Sequence, residues 1–220
     1  MRLLGLEESS ALEQSRWGRS APPPGPGRAR ALAAAARKPL LERPTLPEEF
    51  FAPLMAASVH DPDPSFCRWF VEPAVYSFGR RRVCAALLAY LRDGTDAERL
   101  GAMRAWYSAW VTPRAERSPA YGPGGVRDPA IDETRDIATA WLESAFDLFA
   151  TTTDLRIHRR LVGELPLQRI ACPPHLQPRL DRALGIARAH ADPYVRHWAA
   201  DVDRGRPTQW WPPDDGEPSP

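Results

Sequence analysis

The chain has 220 residues, room for one domain with a real core plus tails, and its 29 basic against 28 acidic side chains leave a net charge of +1. A balance this close to neutral excludes the global field that draws a protein onto nucleic acid or an anionic membrane. Lys38 is the only lysine, so the many arginines, together with Ala and Pro, read as compositional bias rather than as a phosphate site.

Cys67, Cys84 and Cys172 are odd in number and far apart, which argues against a disulfide framework and for a reducing cytoplasm. The first residues, MRLLGLEESSALEQ, carry acids where an export signal needs an apolar core, and no stretch reaches the ~20 apolar residues of a membrane span. A cytoplasmic protein with no membrane segment is the expectation.

In chain order, residues 1–45 read as a largely disordered leader, because its prolines remove backbone donors and its apolar residues lack sustained periodicity. Eight basic residues against four Glu up to position 44 make it weakly basic. It is either a solvated extension or a contact for an acidic partner. EEFFAPLMAAS and PSFCRWFVEPAV follow as short capping helices, with Asp63 as the N-cap of a helix opening at Pro64.

From Ser77 to Arg92, Val83, Leu87 and Leu91 recur at helical spacing with Cys84 and Leu88 beside them, and Gly94 is placed to end the helix in a left-handed conformation. Thr95 and Glu98 have capping-box spacing ahead of a stripe of Leu100, Met103, Trp106, Tyr107 and Trp110. The two helices predict an antiparallel hairpin. Thr112–Ile131, rich in Pro and Gly, is predicted to be an inserted loop with Tyr121 as an aromatic anchor; it is either a recognition loop or an insertion without a task.

A second hairpin is predicted from Asp132, with Ile137, Trp141, Ala145 and Leu148 in line and Leu142, Phe146 and Phe149 adjoining; TTTD then leads into a helix carrying Ile157, Leu161 and Leu165, limited by Pro166. The third joins His175–His190, with Leu176, Leu180, Leu184 and Ala187 inward, to ADPYVRHWAADV at Ala191–Val202. The turn acids Asp96, Asp154 and Asp192 lie 58 and 38 residues apart, and the excess of 20 matches the inserted loop. Trp210 and Trp211 close the domain, either folded back as a C-terminal cap or exposed for docking, and residues 212–220 form an acidic, disordered tail.

Ala191–Val202 resembles the second helix of a HEAT-type repeat: Asp192 and Pro193 open it, Val195 and Ala199 face inward, Ala200 permits close approach, and Arg196 holds the motif's basic position. The resemblance is partial for Thr153–Leu165 and poor for Thr95–Trp110, where Arg99 stands at the expected Val position. It implies an all-α fold over residues 46–211, a short right-handed α-solenoid of about three antiparallel hairpins with capping helices and disordered tails. It also implies a HEAT-like or armadillo-type scaffold that binds another protein, whose candidate contacts are Arg104, Arg159, Arg196, Tyr121, Trp210 and Trp211.

Chemistry has little support in the residues. CPPH at Cys172–His175 offers half a zinc site with no second half, and HDPDP at His60–Pro64 lacks the glycine and distal Glu of a calcium loop. No nucleophile elbow or phosphate loop is present, and Cys84 lies on an apolar face. His158 and His197 sit among arginines as packing or surface residues, and Asp132 with Glu133 and Asp201 with Asp203 as solvated pairs. No catalytic residue, metal ligand or cofactor is assigned. The alternative reading is a HEAT-like nucleic-acid-binding protein or DNA alkylation glycosylase, with Trp106, Trp110, Trp141 and Trp198 and Arg104, Arg135, Arg159 and Arg196 lining one concave face.

Overall fold

The computed structural model describes residues 26–43, 45–110 and 133–205. Among these, all regular structure is helical, and the chain divides into two compact units, residues 1–139 and 140–220. The division falls inside the single repeat domain expected over 46–211.

The first unit contains α1 (Pro26–Glu42), α2 (Phe51–His60, preceded by a 3-10 turn at Glu48–Phe50), α3 (Pro64–Phe78), α4 (Arg80–Asp93) and α5 (Asp96–Ala109). α1 lies inside the stretch expected to lack order. Its alanines favour a helix, and Ala31, Ala36, Leu40 and Leu41 become buried, so packing supplies what the absent periodicity did not. Arg30 stacks on Phe66 at 3.6 Å and Arg37 on Trp69 at 5.1 Å, laying α1 along α3.

α3 opens as predicted, with the Asp63 carboxylate accepting from the Ser65 N–H and Pro64 in the first turn. Val83, Cys84, Leu87, Leu88 and Leu91 form the buried face of α4. Gly94 ends that helix, but in an extended conformation (φ −74°, ψ 164°) and not the expected left-handed one. The requirement there is space: a Cβ would stand 2.5 Å from the Tyr90 carbonyl oxygen.

α5 starts with the predicted capping box, in which Thr95 accepts from the Glu98 N–H and Glu98 accepts from the Thr95 N–H. Its packing face differs from the aromatic stripe. Met103 and Trp106 are buried, while Tyr107 is 76 % and Trp110 40 % exposed. The rest of the buried face is small, Gly101, Ala102, Ala105, Ser108 and Ala109, because α5 packs against α2 and α3 as well as α4. At its closest approach a Cβ on Gly101 would overlap the Val59 carbonyl.

The second unit holds most of α6 (Arg135–Thr151), with α7 (Leu155–Val162), α8 (Gln177–Arg188) and α9 (Pro193–Arg204). Its predicted core is observed: Trp141, Ala145, Leu148, Ile157, Leu161, Leu165, Leu176, Leu180, Leu184, Ala187, Val195 and Ala199 are all buried. The side chains of Asp154 and Asp192 cap α7 and α9 by accepting from Arg156 and Val195 backbone N–H groups. The packed pairs α4 with α5 and α8 with α9 are compatible with a helical-repeat fold.

Candidate functional site

The arginines expected to form a contact surface are tied to the chain's own turns. Arg104 donates to the carbonyls of Val59 at 3.4 Å and Asp61 at 3.2 Å, where α2 has run out of internal donors. Arg159 grips the Asp192 carboxylate through Nε at 3.1 Å and a terminal nitrogen at 2.6 Å. Arg196 donates to the carbonyls of His190 and Ala191 at 2.7 and 2.6 Å. Thus Arg159 and Arg196 meet around the turn that starts α9, whereas Arg104 serves a different turn in the first unit. Tyr121, Trp210 and Trp211 lie outside the described residues.

The groups that might carry chemistry are likewise engaged in packing. Cys84 is fully buried and its thiol is pushed up to about 12 by that burial, so it stays protonated and unreactive. Burial also raises Cys67 and Cys172. His175 faces Glu143 at 3.8 Å rather than Cys172 in a metal half-site, and no group of three metal-ligating side chains occurs among the described residues.

Buried His158 turns Nε2 to the Phe149 carbonyl at 3.1 Å and packs its ring 4.8 Å from that of His190. His190 in turn accepts the Asp192 N–H on Nδ1 at 3.0 Å. Desolvation holds His158 below the ordinary imidazole value and therefore neutral. Both histidines thus brace the helix ends beside them. Of the tryptophans proposed for a concave face, Trp106, Trp141 and Trp198 are core residues.

A cavity with room for a guest lies in the first unit, a groove of about 450 Å³ between α2 and α4. Phe51, Ala52 and Met55 form one wall and Ala86, Ala89 and Tyr90 the other, while Asp93, Gly94 and Glu98 close one end. Such a volume is in the ~300–1,000 Å³ range of ligand-sized clefts. The groove is open because its α4 wall is built from alanines, and Arg82 fixes Phe51 by stacking on the ring at 4.1 Å while paired with Glu48.

The carboxylate end is charged. Backbone and hydroxyl donation from Thr95 hold Glu98 below the usual carboxylate range, and its other oxygen lies 3.9 Å from His60 Nε2. Asp93 is exposed and has no ion-pair partner among the described residues. An apolar trough with an anionic end can hold a large apolar side chain flanked by cations; it presents no nucleophile and no aligned acid and base.

The heavy apolar face of α4, which is the one that stands out in the sequence, points away from this groove. The available signal was the second, lighter face of that helix, Ala86, Ala89, Tyr90 and Asp93 at steps of three and four. No helix among the described residues is long and apolar enough to cross a membrane. No protein-family model, curated protein or solved structure matches the chain.

Proposed function

We propose that this chain is a non-enzymatic protein–protein interaction module of the HEAT-like helical-repeat type, working in a reducing cytoplasm. In this reading α4 with α5, α6 with α7 and α8 with α9 are the three hairpins of a short solenoid, and a partner protein inserts an apolar segment into the groove between α2 and α4. The groove is the observation that carries it: apolar walls, ligand-sized volume, and a charged end that would orient the guest. The three thiols, all free and buried, suit a reducing compartment.

The test is affinity capture from native lysate with the full chain, an Ala89→Trp variant that fills the groove, and an Arg156→Glu variant altered on the exposed surface of α7. Circular dichroism would establish that all three fold alike. A protein partner retained by Arg156→Glu and lost by Ala89→Trp is the expected result. Retention of the same partner by Ala89→Trp, or recovery of nucleic acid in place of protein, would overturn the proposal.

A further inference from the structure

We propose that the guest of the groove between α2 and α4 is an amphipathic α-helix of a partner protein, its apolar face between the two helices and a Lys or Arg at one end set against Asp93 and Glu98. The proposal rests on the reading of that groove as a binding site and names the form and charge of what enters it.

Contacts at the two ends fix the course of the groove. At one end Phe51, the first residue of α2, packs edge-on against Phe78 at 5.2 Å and lies under the guanidinium of Arg82, in the first turn of α4, at 4.1 Å. At the other, His60, the last residue of α2, faces Glu98 at 3.9 Å. Glu98 in turn lies against Gly94, which ends α4, where an added Cβ would stand 3.0 Å from the Glu98 Cβ. α2 and α4 therefore run in the same direction, one on each side of the groove. From Arg82 to Asp93 the α4 wall rises ~16 Å, about three turns at ~1.5 Å per residue.

The walls favour a helical guest. Ala52, Ala86 and Ala89 present only methyl groups, which lets a third helix approach closely. Between the ends, the Tyr90 hydroxyl is the only side-chain polar group in the lining, and the backbone groups of the walls are spent inside α2 and α4. An extended guest would bury its own N–H and C=O groups against methyls, Phe51 and Met55 with nothing to pair them. A helix satisfies its backbone internally and offers side chains alone.

Charge selects the guest further. Asp93 is exposed and has no ion-pair partner among the described residues. Glu98 keeps one oxygen on Thr95 and turns the other toward His60. At the opposite end Arg82 is already paired with Glu48. The open charge of the groove is thus negative and set at one end, where a cation in the guest complements it and an acid is opposed.

Peptide selection tests form and charge together. A phage-displayed library of random ~16-residue peptides, long enough for about four helical turns, is panned on the full chain, and the full Ala89→Trp chain removes binders from the rest of the surface. The expected winners carry apolar residues at i, i+3, i+4 and i+7, with Lys or Arg at one end of that stripe. As free peptides they are expected to bind Asp93→Arg at least ~10-fold more weakly, and replacing their Lys or Arg by Glu is expected to recover that loss. Asp93→Arg keeps the fold, because a cation in the last turn of a helix complements its dipole.

Groove-dependent peptides that are proline-rich, lack helical spacing or carry acids would overturn the inference and leave the groove a binding site. A chain that sediments as a dimer, and as a monomer with Ala89→Trp, would also overturn it by giving the groove to a second copy. Failure to select any groove-dependent peptide would remove both the inference and the groove reading beneath it.

Discussion

Gly101→Ala separates helix propensity from packing, because the two predict opposite signs. In an exposed helix interior the change stabilises by ~1 kcal/mol, as alanine restricts the unfolded chain. At Gly101 the added methyl meets the backbone carbonyl of Val59, which cannot rotate away because it belongs to α2. Relief requires α5 to withdraw from α2, loosening the buried contacts of Met55, Val59, Ala102 and Ala105. Overpacking of this kind costs ~1–3 kcal/mol, and a rigid backbone neighbour places it at the upper end. Taking ~3 against a gain of ~1 leaves a net loss of ~2 kcal/mol. At a urea dependence of ~2 kcal/mol/M the midpoint falls by ~1 M. Gly185→Ala in α8 is the matched control, since nothing lies within 4 Å of its new Cβ, and it should raise the midpoint by ~0.5 M. Urea unfolding followed by far-UV circular dichroism reads both. A Gly101→Ala midpoint at or above that of the parent would refute the claim that α5 is held close to α2 by the absence of a side chain.

Three further outcomes follow from the same geometry. Because burial lowers the pKa of His158 below its unfolded value of ~6.5, its contribution to stability is complete above that pH and is lost as the pH falls through it; urea midpoints should drop between pH 7.5 and 5, and His158→Phe should flatten that slope. Cys84, with a thiol at about 12, should resist a disulfide reagent at pH 8 in the folded protein and react at once in denaturant, as mass spectrometry of the modified peptide would show. Asp192→Ala removes the cap of α9 and should lower stability by ~1 kcal/mol on the cap alone, while Asp192→Asn, which keeps an acceptor for the Val195 N–H, should recover most of the cap's contribution in the same unfolding assay.

The sequence disclosed those parts of the fold that depend on one helix at a time. Asp63, Thr95 and Asp192 are readable as helix starts because a cap is set by a side chain and a backbone N–H two or three residues away, and Asp154, expected only as a turn acid, caps α7 in the same way. The core stripe of α8 was readable because one broad face is buried against its neighbours. The packing face of α5 is not legible as a bulky stripe because the helix touches three others, and a helix so surrounded carries small residues at its crossings. Its signal is the spacing of Gly101, Ala105 and Ser108, small residues that do not stand out by hydrophobicity. α1 is not legible for the related reason that its alanines become a buried face only once α3 is there to pack against them. The groove depends on two helices and on what their side chains leave unfilled, which no single-helix pattern records.

The arginines show why charge was a poor guide to a binding surface in this chain. A guanidinium has five donors and no acceptor, so in a protein with almost no lysine it becomes the general means of satisfying carbonyls that helices leave open. Arg104 does this at the end of α2, Arg196 at the turn before α9, and Arg80 at the Ala109 carbonyl ending α5. Reversing the charge at Arg104 or Arg196 would leave those carbonyls without a donor and place a carboxylate beside them, so a resulting loss of partner binding would report a damaged turn. Ala89 has no such duty: it is exposed, presents only a methyl to the groove, and can be enlarged without removing any hydrogen bond. A binding defect at Ala89→Trp with unchanged stability therefore identifies a contact surface in a way that no arginine substitution here can.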